Sequence, residues 1–369
     1  MHAPVQPAQL ARNAVIVVFA VNGFAFASWV SRIPEARSLL ELTPGQLGTL
    51  LLALSVGSVV ALPSAGFWVH RFGAARVVAV SAVLDAVGLA VAGLGASEAG
   101  QVWPTALGLL LLGFGSGTWD VAMNVEGAAV ERELARTIMP RFHAAFSLGT
   151  VAGAGVGAAA AGLGVAVGTH LLAMALPVAL LPLAVVRRFL PARPGEPADG
   201  ARRRNPLRAW TEPRTLAIGL MVLAMALTEG VANDWLAVAL VDGYDVPPWV
   251  GASGFALFVA AMTAGRVTGT VVLDRFGRLP VLWGGMAIAG AGVLIVVLGE
   301  VLAVVAGGIV LWGLGASLGF PVGMSAAADE QEYAAARVSV VATIGYMAFL
   351  AGPPVLGFLG DRVGVLHAL

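Results

Sequence analysis

Long runs of apolar residues, separated by short turns that carry polar and charged residues, recur along the whole chain. A run of about 20 apolar residues can cross the hydrocarbon core of a membrane as an α-helix. The pattern predicts an all-α protein with eleven spans, near residues 13–30, 46–68, 75–96, 104–125, 143–163, 166–186, 215–238, 249–273, 279–298, 301–326 and 338–359. Residues 363–369 resemble the first turns of another helix, so we expect a twelfth span that the chain truncates.

The composition agrees with a membrane protein, since 59% of the 369 residues are hydrophobic and only 11% are charged. Soluble domains carry about 25% charged residues. Cysteine is absent, which excludes disulfides, thiolate metal sites and cysteine nucleophiles. All 21 basic residues are arginine, so a phosphate-binding loop that needs lysine cannot form, and the five histidines lack the spacing of a zinc protease. We therefore expect no enzyme, no cofactor, no metal ion and no nucleic-acid partner.

The arginines predict how the spans are oriented. If the N-terminus is cytoplasmic, 17 of the 21 arginines fall in cytoplasmic segments and three in outer loops, while Arg266 lies inside a span. Arginine-rich loops stay in the cytoplasm, so we expect a multi-pass protein of the cytoplasmic membrane in that orientation. Residues 187–214 are rich in proline, glycine and arginine and read as a cytoplasmic linker. This linker would join a six-helix bundle, 1–186, to a second bundle, 215–369, with five helices and the start of a sixth.

Short motifs repeat between the two halves of the chain. Arg71-Phe72-Gly73 recurs as Arg275-Phe276-Gly277, and residues 113–115, Gly-Phe-Gly, recur as Gly-Leu-Gly at 313–315. Two homologous six-helix halves follow, and we expect them to be pseudo-symmetric. Parallel repeats of this kind are a transporter architecture, in which the substrate site lies between the halves near the middle of the membrane.

The repeated motif and three further segments carry a resemblance to a known family. The segment after span two resembles the motif Gly-x-x-x-Asp-Arg-x-Gly of the major facilitator superfamily, and residues 31–35, 119–127 and 139–147 resemble its MosC-like branch, named for a rhizopine-locus membrane protein. The resemblance implies a bacterial secondary transporter, a symporter for a small polar solute that is sugar-like or polyol-like. It also implies alternating access, coupling to protons, contact with membrane lipid and a monomeric chain.

The two motif copies are each imperfect. In the first copy His70 replaces the acid, and in the second Thr270 replaces the first glycine while Asp274 is kept. The resemblance implies that this motif is a latch between the conformations of the transporter. With His70 in place of the acid, the latch would be weakened or its contact would move to Asp274. The predicted latch residues are Gly66, His70, Arg71, Gly73, Asp274, Arg275, Gly277 and Arg278, with Glu126 and Arg141 as a candidate cytoplasmic ion pair or as solvated loop charges.

Ionisable residues inside the spans are candidates for proton coupling, because a charge within the bilayer is costly and usually faces protein or a water-filled cavity. Glu229 is the first choice, since Asn233 lies four residues later on the same helix face. Asp120 with Asn124 repeats this spacing on span four, where a gate contact is an equal alternative. Asp85 reads as a structural hydrogen-bonding group.

Polar and aromatic residues in the spans are candidates for binding the solute. Arg266 would bind an anion or pair with a buried acid such as Glu229. Trp29 and Trp235 would stack on a sugar or anchor the spans at the membrane interface. The predicted substrate-binding residues are Asn22, Trp29, Asn124, Asn233, Trp235, Arg266 and Tyr346.

Two other functions remain open at this point. The first is efflux of small amphipathic compounds in exchange for protons, for which span five lacks the family's proline after Gly153. The second is a membrane sensor or binding protein without transport.

Overall fold

The computed structural model describes residues 5–135, 138–191, 206–327, 329 and 334–369, and over these residues the chain is helical with no β-strand. Its helices are α1 (Val5–Val30), α2 (Ile33–Leu39), α3 (Pro44–Phe72), α4 (Ala74–Ser97), α5 (Val102–Leu134), α6 (Met139–Gly162), α7 (Val167–Val185), α8 (Pro213–Val231), α9 (Ala237–Tyr244), α10 (Pro248–Phe276), α11 (Arg278–Leu298), α12 (Leu302–Ala316), α13 (Gly319–Ala327), α14 (Ala334–Val363) and α15 (Val365–Ala368). Short 3-10 turns cover Val186–Arg188 and Pro206–Thr211.

The eleven predicted spans are confirmed, since eleven helical segments of the described chain are long and apolar enough to cross a membrane. The seventh differs from the prediction in length and shape. It continues to Tyr244, and its middle is a π-turn over Ala232–Leu236 that joins α8 to α9. Residues 363–369, in which the sequence predicts the start of another helix, contain the short helix α15.

The helices pack in two groups. In the first, α1 packs against α4, α5, α6 and α7, and α5 packs against α3 and α4. In the second, α8 packs against α13 and α14, and α12 packs against α10 and α11. The predicted boundaries of the bundles stay a prediction, because residues 192–205 of the predicted linker lie outside the described residues.

Close glycine contacts follow the sequence repeat. A Cβ on Gly88 of α4 would lie 2.8 Å from the carbonyl oxygen of Gly108 on α5, and one on Gly292 of α11 would lie 2.6 Å from that of Gly308 on α12. Helices that lack side chains at these points approach closely, as small residues permit between membrane helices. The two groups therefore share the same helix-packing device at equivalent places.

The two groups of helices meet mainly along two pairs, α3 with α14 and α6 with α10, and α2 also packs against α9. We call the end that holds the α3–α4, α5–α6 and α10–α11 turns the basic end, and the opposite end the distal end. At the distal end Arg37 of α2 forms an ion pair with Asp242 of α9, and the Gly45 N–H of α3 donates to Asp361 of α14 at 3.0 Å. Nearer the middle, the Ser55 hydroxyl donates to the Phe349 carbonyl at 2.7 Å. These contacts join the groups over their distal halves.

Candidate functional site

The central feature of the interface is an ion pair within the spans. One terminal nitrogen of Arg266 on α10, Nη2, donates to both carboxylate oxygens of Glu229 on α8 at 3.1 Å. Arg266 Nε also donates to the Ser317 carbonyl at 3.3 Å. The sequence left open whether Arg266 pairs with a buried acid, and the structure shows that it pairs with Glu229. Each charge thereby offsets the cost of holding the other away from bulk water.

A small cavity lies between this ion pair and the first group of helices. Its lining comes from α1, α6, α8, the π-turn and α10, and consists of Phe26, Phe146, Ser147, Thr150, Glu229, Asn233, Val259, Met262 and Arg266. Glu229 and Asn233 therefore share one cavity, as their spacing predicts. The cavity volume is about 30 Å³, which is room for one or two water molecules. A solute can bind here only when the two groups of helices move apart.

The π-turn shapes this wall of the cavity. Asn233 lies within it, directly after the helix that carries Glu229. Such turns are rare, interrupt the regular hydrogen bonds of a helix and often occur at functional sites. Asp234, the next residue in the turn, is half-buried and forms no ion pair with any described residue.

A second polar group lies on α5. The Asn124 side-chain amide donates to the Asp120 carboxylate at 3.2 Å and to its own helix at the Asp120 carbonyl at 2.8 Å. Tyr346 of α14 is close enough to Asp120 to interact with it electrostatically across the interface, and its ring lies between Phe320 and Phe349. The structure thus brings together three predicted residues, Asp120, Asn124 and Tyr346, from the two halves of the chain.

His143 belongs to this region although the sequence analysis assigned it no role. It lies on α6, its ring contacts Phe19 edge-on at 5.2 Å, and it interacts electrostatically with Arg266. Ser147 and Thr150 follow on the same helix, one and two turns later, and line the cavity. The available signal was this spacing of four and three residues, which places polar side chains on one helix face.

Three predicted binding residues, Asn22, Trp29 and Trp235, belong neither to the cavity nor to the polar group on α5. Trp29 and Trp235 are each only 1% exposed, so neither ring reaches a solute or the membrane interface in this conformation. Their interpretation as interfacial anchors is wrong, because neighbouring helices enclose both rings. The Asn22 amide is 4% exposed and its nitrogen has no hydrogen-bond partner in the described chain.

Asp85 is fully buried between α4 and α5. It accepts a hydrogen bond from the Ser116 hydroxyl at 2.9 Å, and the hydroxyls of Ser81 and Thr118 bond to each other beside it at 2.8 Å. This arrangement agrees with the predicted structural role.

Of the two interpretations left open for Glu126 and Arg141, the ion pair does not form in the structure, and Glu126 is not a solvated loop charge. Glu126 is 5% exposed and accepts a hydrogen bond from the Leu190 backbone N–H at 2.7 Å, whereas Arg141 is exposed. The Leu190 N–H, shortly after the end of α7, supplies the hydrogen bond that a buried carboxylate requires. Glu126 is therefore satisfied without an ion pair to Arg141.

The predicted latch residues lie exposed at the basic end. Arg71 and Arg275 each stack over the ring of the phenylalanine that follows them, with the same distance of 5.4 Å in both copies. Within the described chain, His70 and Asp274 make no hydrogen bond or ion pair. Gly73 and Gly277 form the turns of the two copies, with φ of 83° and 77°, whereas Gly66 lies within α3.

Arg278, by contrast, binds its own half of the chain. It donates to the Asp329 carboxylate at 2.6 Å and to the Ser325 hydroxyl at 3.0 Å. The hydrogen bond from Arg278 lowers the pKa of Asp329. This contact fixes the turn after α10 to the segment after α13.

A third copy of the latch motif lies at the distal end, where the repeat between the halves does not predict it. Residues 357–364 read Gly-Phe-Leu-Gly-Asp-Arg-Val-Gly, which matches the motif at both glycines, the acid and the arginine. Gly364 has φ of 84° and ψ of 148°, close to the values at Gly73 and Gly277. Its acid, Asp361, accepts from the Gly45 N–H in the first turn of α3. We call Asp361 and Gly45 the distal latch.

Residues 14–353 match the family model of the Major Facilitator Superfamily. An uncharacterised MFS-type transporter of Yersinia pestis is 32% identical over 358 residues, covering 97% of this chain and 91% of that protein. The membrane protein MosC of Rhizobium meliloti is 27% identical over 362 residues, covering 98% and 86%. The predicted resemblance to the MosC-like branch is confirmed.

The fold is also that of a solved transporter. A variant of the nucleoside transporter NupG superposes with a TM-score of 0.79 at 13% sequence identity, covering 97% of this chain and 95% of the other. At this identity the likeness concerns the fold alone.

Proposed function

Since the chain belongs to the Major Facilitator Superfamily, we propose that it carries a small polar solute across the bacterial cytoplasmic membrane by alternating access, coupled to protons. Family membership makes it a multi-pass secondary transporter and not an enzyme. The observation that carries the proposal is the Glu229–Arg266 ion pair, which faces a cavity between the two groups of helices. In the proposed orientation the N-terminus and the basic end are cytoplasmic.

Glu229 is the proposed proton site because it is the ionisable partner of a permanent charge. An arginine stays protonated at any physiological pH, so Glu229 is the member of the pair that can exchange a proton with the cavity. Protonation of Glu229 removes the ion pair and releases Arg266 towards the cavity. Asp120, beside Tyr346, is the second proposed proton site.

The arrangement of the ends supports alternating access. The distal end is joined by the Arg37–Asp242 pair and by the distal latch, while the latch residues at the basic end are exposed. This combination corresponds to a state in which the two groups of helices are held together at the distal end and can separate at the basic end. The two bundles, with the boundaries 1–186 and 215–369, would rock about the cavity, and a single chain would be the transporting unit.

The distal latch gives a test of this movement. Asp361→Ala removes the acceptor for the Gly45 N–H and a negative charge at the start of the 29-residue helix α3. Losing a cap of this kind costs about 0.5–2 kcal/mol. We expect the distal-open conformation to gain population by about 2- to 30-fold, the factor to which about 0.5–2 kcal/mol corresponds.

Labelling of a single cysteine measures this population. The chain has no cysteine, so Thr150→Cys in the cavity wall gives one reactive site. A membrane-impermeant thiol reagent added at the distal side should label it faster in the Asp361→Ala background. Glu300→Ala, which removes an exposed acid at the same end, is the control and should leave the rate unchanged. An equal rate in all three backgrounds would contradict the latch.

The direction of proton flow tests the function itself. Purified protein in liposomes that contain a pH-sensitive dye should carry protons inwards together with an added solute, without an imposed gradient. Outward proton movement on solute entry would favour the efflux antiporter instead. Saturable binding of the solute without any flux would favour a sensor and would reject the proposed function.

A further inference from the structure

We infer that the solute carries a carboxylate, which Arg266 binds when Glu229 is protonated. The inference rests on the proposed function and assigns its substrate class. It follows from the way in which the Arg266 guanidinium is used, from the charges around it and from the neighbouring cavity wall.

Only some of the N–H donors of the Arg266 guanidinium take part in hydrogen bonds. It has five N–H donors, and the structure uses Nη2 for Glu229 and Nε for the Ser317 carbonyl at a long 3.3 Å. Nη1 has no hydrogen-bond partner among the described residues, and the side chain is 28% exposed. Arg266 therefore keeps free donors at the cavity while it holds Glu229.

The charges near Arg266 favour one kind of ligand. From the helices packed around it come Glu229 on α8 and His143 on α6. When Glu229 is neutral, the guanidinium loses its direct counter-ion, and a permanent charge at this depth is costly without one. An incoming carboxylate replaces that counter-ion and can accept two parallel N–H hydrogen bonds from the guanidinium.

This exchange couples the solute to the proton. The solute carboxylate and the ionised Glu229 compete for the same guanidinium, so protonation of Glu229 strengthens binding of the acid. By reciprocity, binding of the acid strengthens protonation of Glu229 to the same degree. A neutral sugar or polyol does not enter this competition and gains no comparable coupling.

The remainder of the cavity wall suits a hydroxylated body on the acid. The hydroxyls of Ser147 and Thr150 and the amide of Asn233 line one cavity with Arg266, and Phe26 and Phe146 supply flat apolar faces. Hydroxyl and amide groups both donate and accept hydrogen bonds, as a sugar acid requires. Its carboxylate would lie at Arg266 and its hydroxyls at α6.

A paired panel of compounds tests the inference. The probes are gluconate, galacturonate, lactate and benzoate, each beside its neutral alcohol or sugar counterpart, and binding to the purified protein is measured at pH 5.5 and 7.5. We expect at least one acid to bind at least tenfold more tightly than its neutral counterpart, and more tightly at pH 5.5. Failure of every acid to bind, or equal binding of the neutral counterparts, would overturn the inference.

Three variants test whether Arg266 and Glu229 are responsible for the preference for the acid. Arg266→Gln should lose the preference for the acid, and Glu229→Gln should bind the acid equally at both pH values, because its side chain no longer ionises. Arg187→Gln, which removes an exposed arginine at the end of α7, is the matched control and should behave as the unmodified protein. Loss of the preference in Arg187→Gln, or its survival in Arg266→Gln, would overturn the role of Arg266.

The result also separates the inference from the proposed function. Proton-coupled transport of a neutral polyol that Glu229→Gln abolishes would overturn the carboxylate assignment and leave the proposed function intact. Arg266-dependent binding of an acid without any proton movement would support the carboxylate assignment and overturn the proposed proton-coupled transport.

Discussion

Glu229→Gln should abolish proton-driven accumulation of the solute and leave the folded protein intact. Glutamine keeps the size of the side chain and an oxygen that accepts from Arg266, but it cannot gain or lose a proton at neutral pH. For one proton per solute, a pH difference of one unit drives about tenfold accumulation, since about 1.4 kcal/mol is a factor of ten. The variant should reach about the external concentration and no more, as measured by uptake into liposomes under that gradient.

Exchange of solute without a gradient should persist in Glu229→Gln, because binding and the movement of the bundles do not consume the proton. Glu98→Gln, which changes an exposed acid after α4, is the matched control and should accumulate the solute normally. Tenfold accumulation by Glu229→Gln would move the proton site away from Glu229 and make Asp120 the remaining proposed site.

Gly149→Val should prevent the first group of helices from assembling. A Cβ at Gly149 on α6 would clash with the Ala20 carbonyl oxygen on α1, which is backbone and cannot rotate away. Valine adds two further carbons at this point, so the two helices must separate. Overpacking typically costs about 1–3 kcal/mol and occasionally more, and here we expect the upper end or beyond. The yield of monodisperse protein after extraction in detergent should fall several-fold.

The same helix offers the control. Gly155 lies on the exposed face of α6, and a Cβ there would meet no atom within 4 Å. Gly155→Val should therefore give the yield of the unmodified protein. If both variants assemble equally well, close contact between α1 and α6 is not required for folding.

The fold was predictable because its determinants lie within each span. Apolar length alone gives the eleven spans, and the repeat gives the two halves. The pairing of Arg266 with Glu229 was one of two stated alternatives, since a buried guanidinium needs an acid and few acids lie within the spans. These arguments need only the approximate depth of each residue.

Features that depend on neighbouring helices were not predictable in this way. The depth of Trp29 and Trp235 along the spans suggested the membrane interface, but burial is decided by which helix packs over each ring. Glu126 finds a backbone N–H at Leu190 that no charge pattern reveals. The third latch motif was missed for a different reason, because a comparison of one half with the other does not align the ends of spans two and eleven.

The π-turn at Ala232–Leu236 sets the rotational phase between two parts of one span. Glu229 lies before it and faces the cavity, while Asp242 lies after it and reaches Arg37 on the other half of the protein. Removal of a single residue from the turn would rotate everything beyond it by about 100° about the helix axis. The lengthened turn therefore lets one continuous span present Glu229 to the cavity and Asp242 to Arg37 on the other half of the protein.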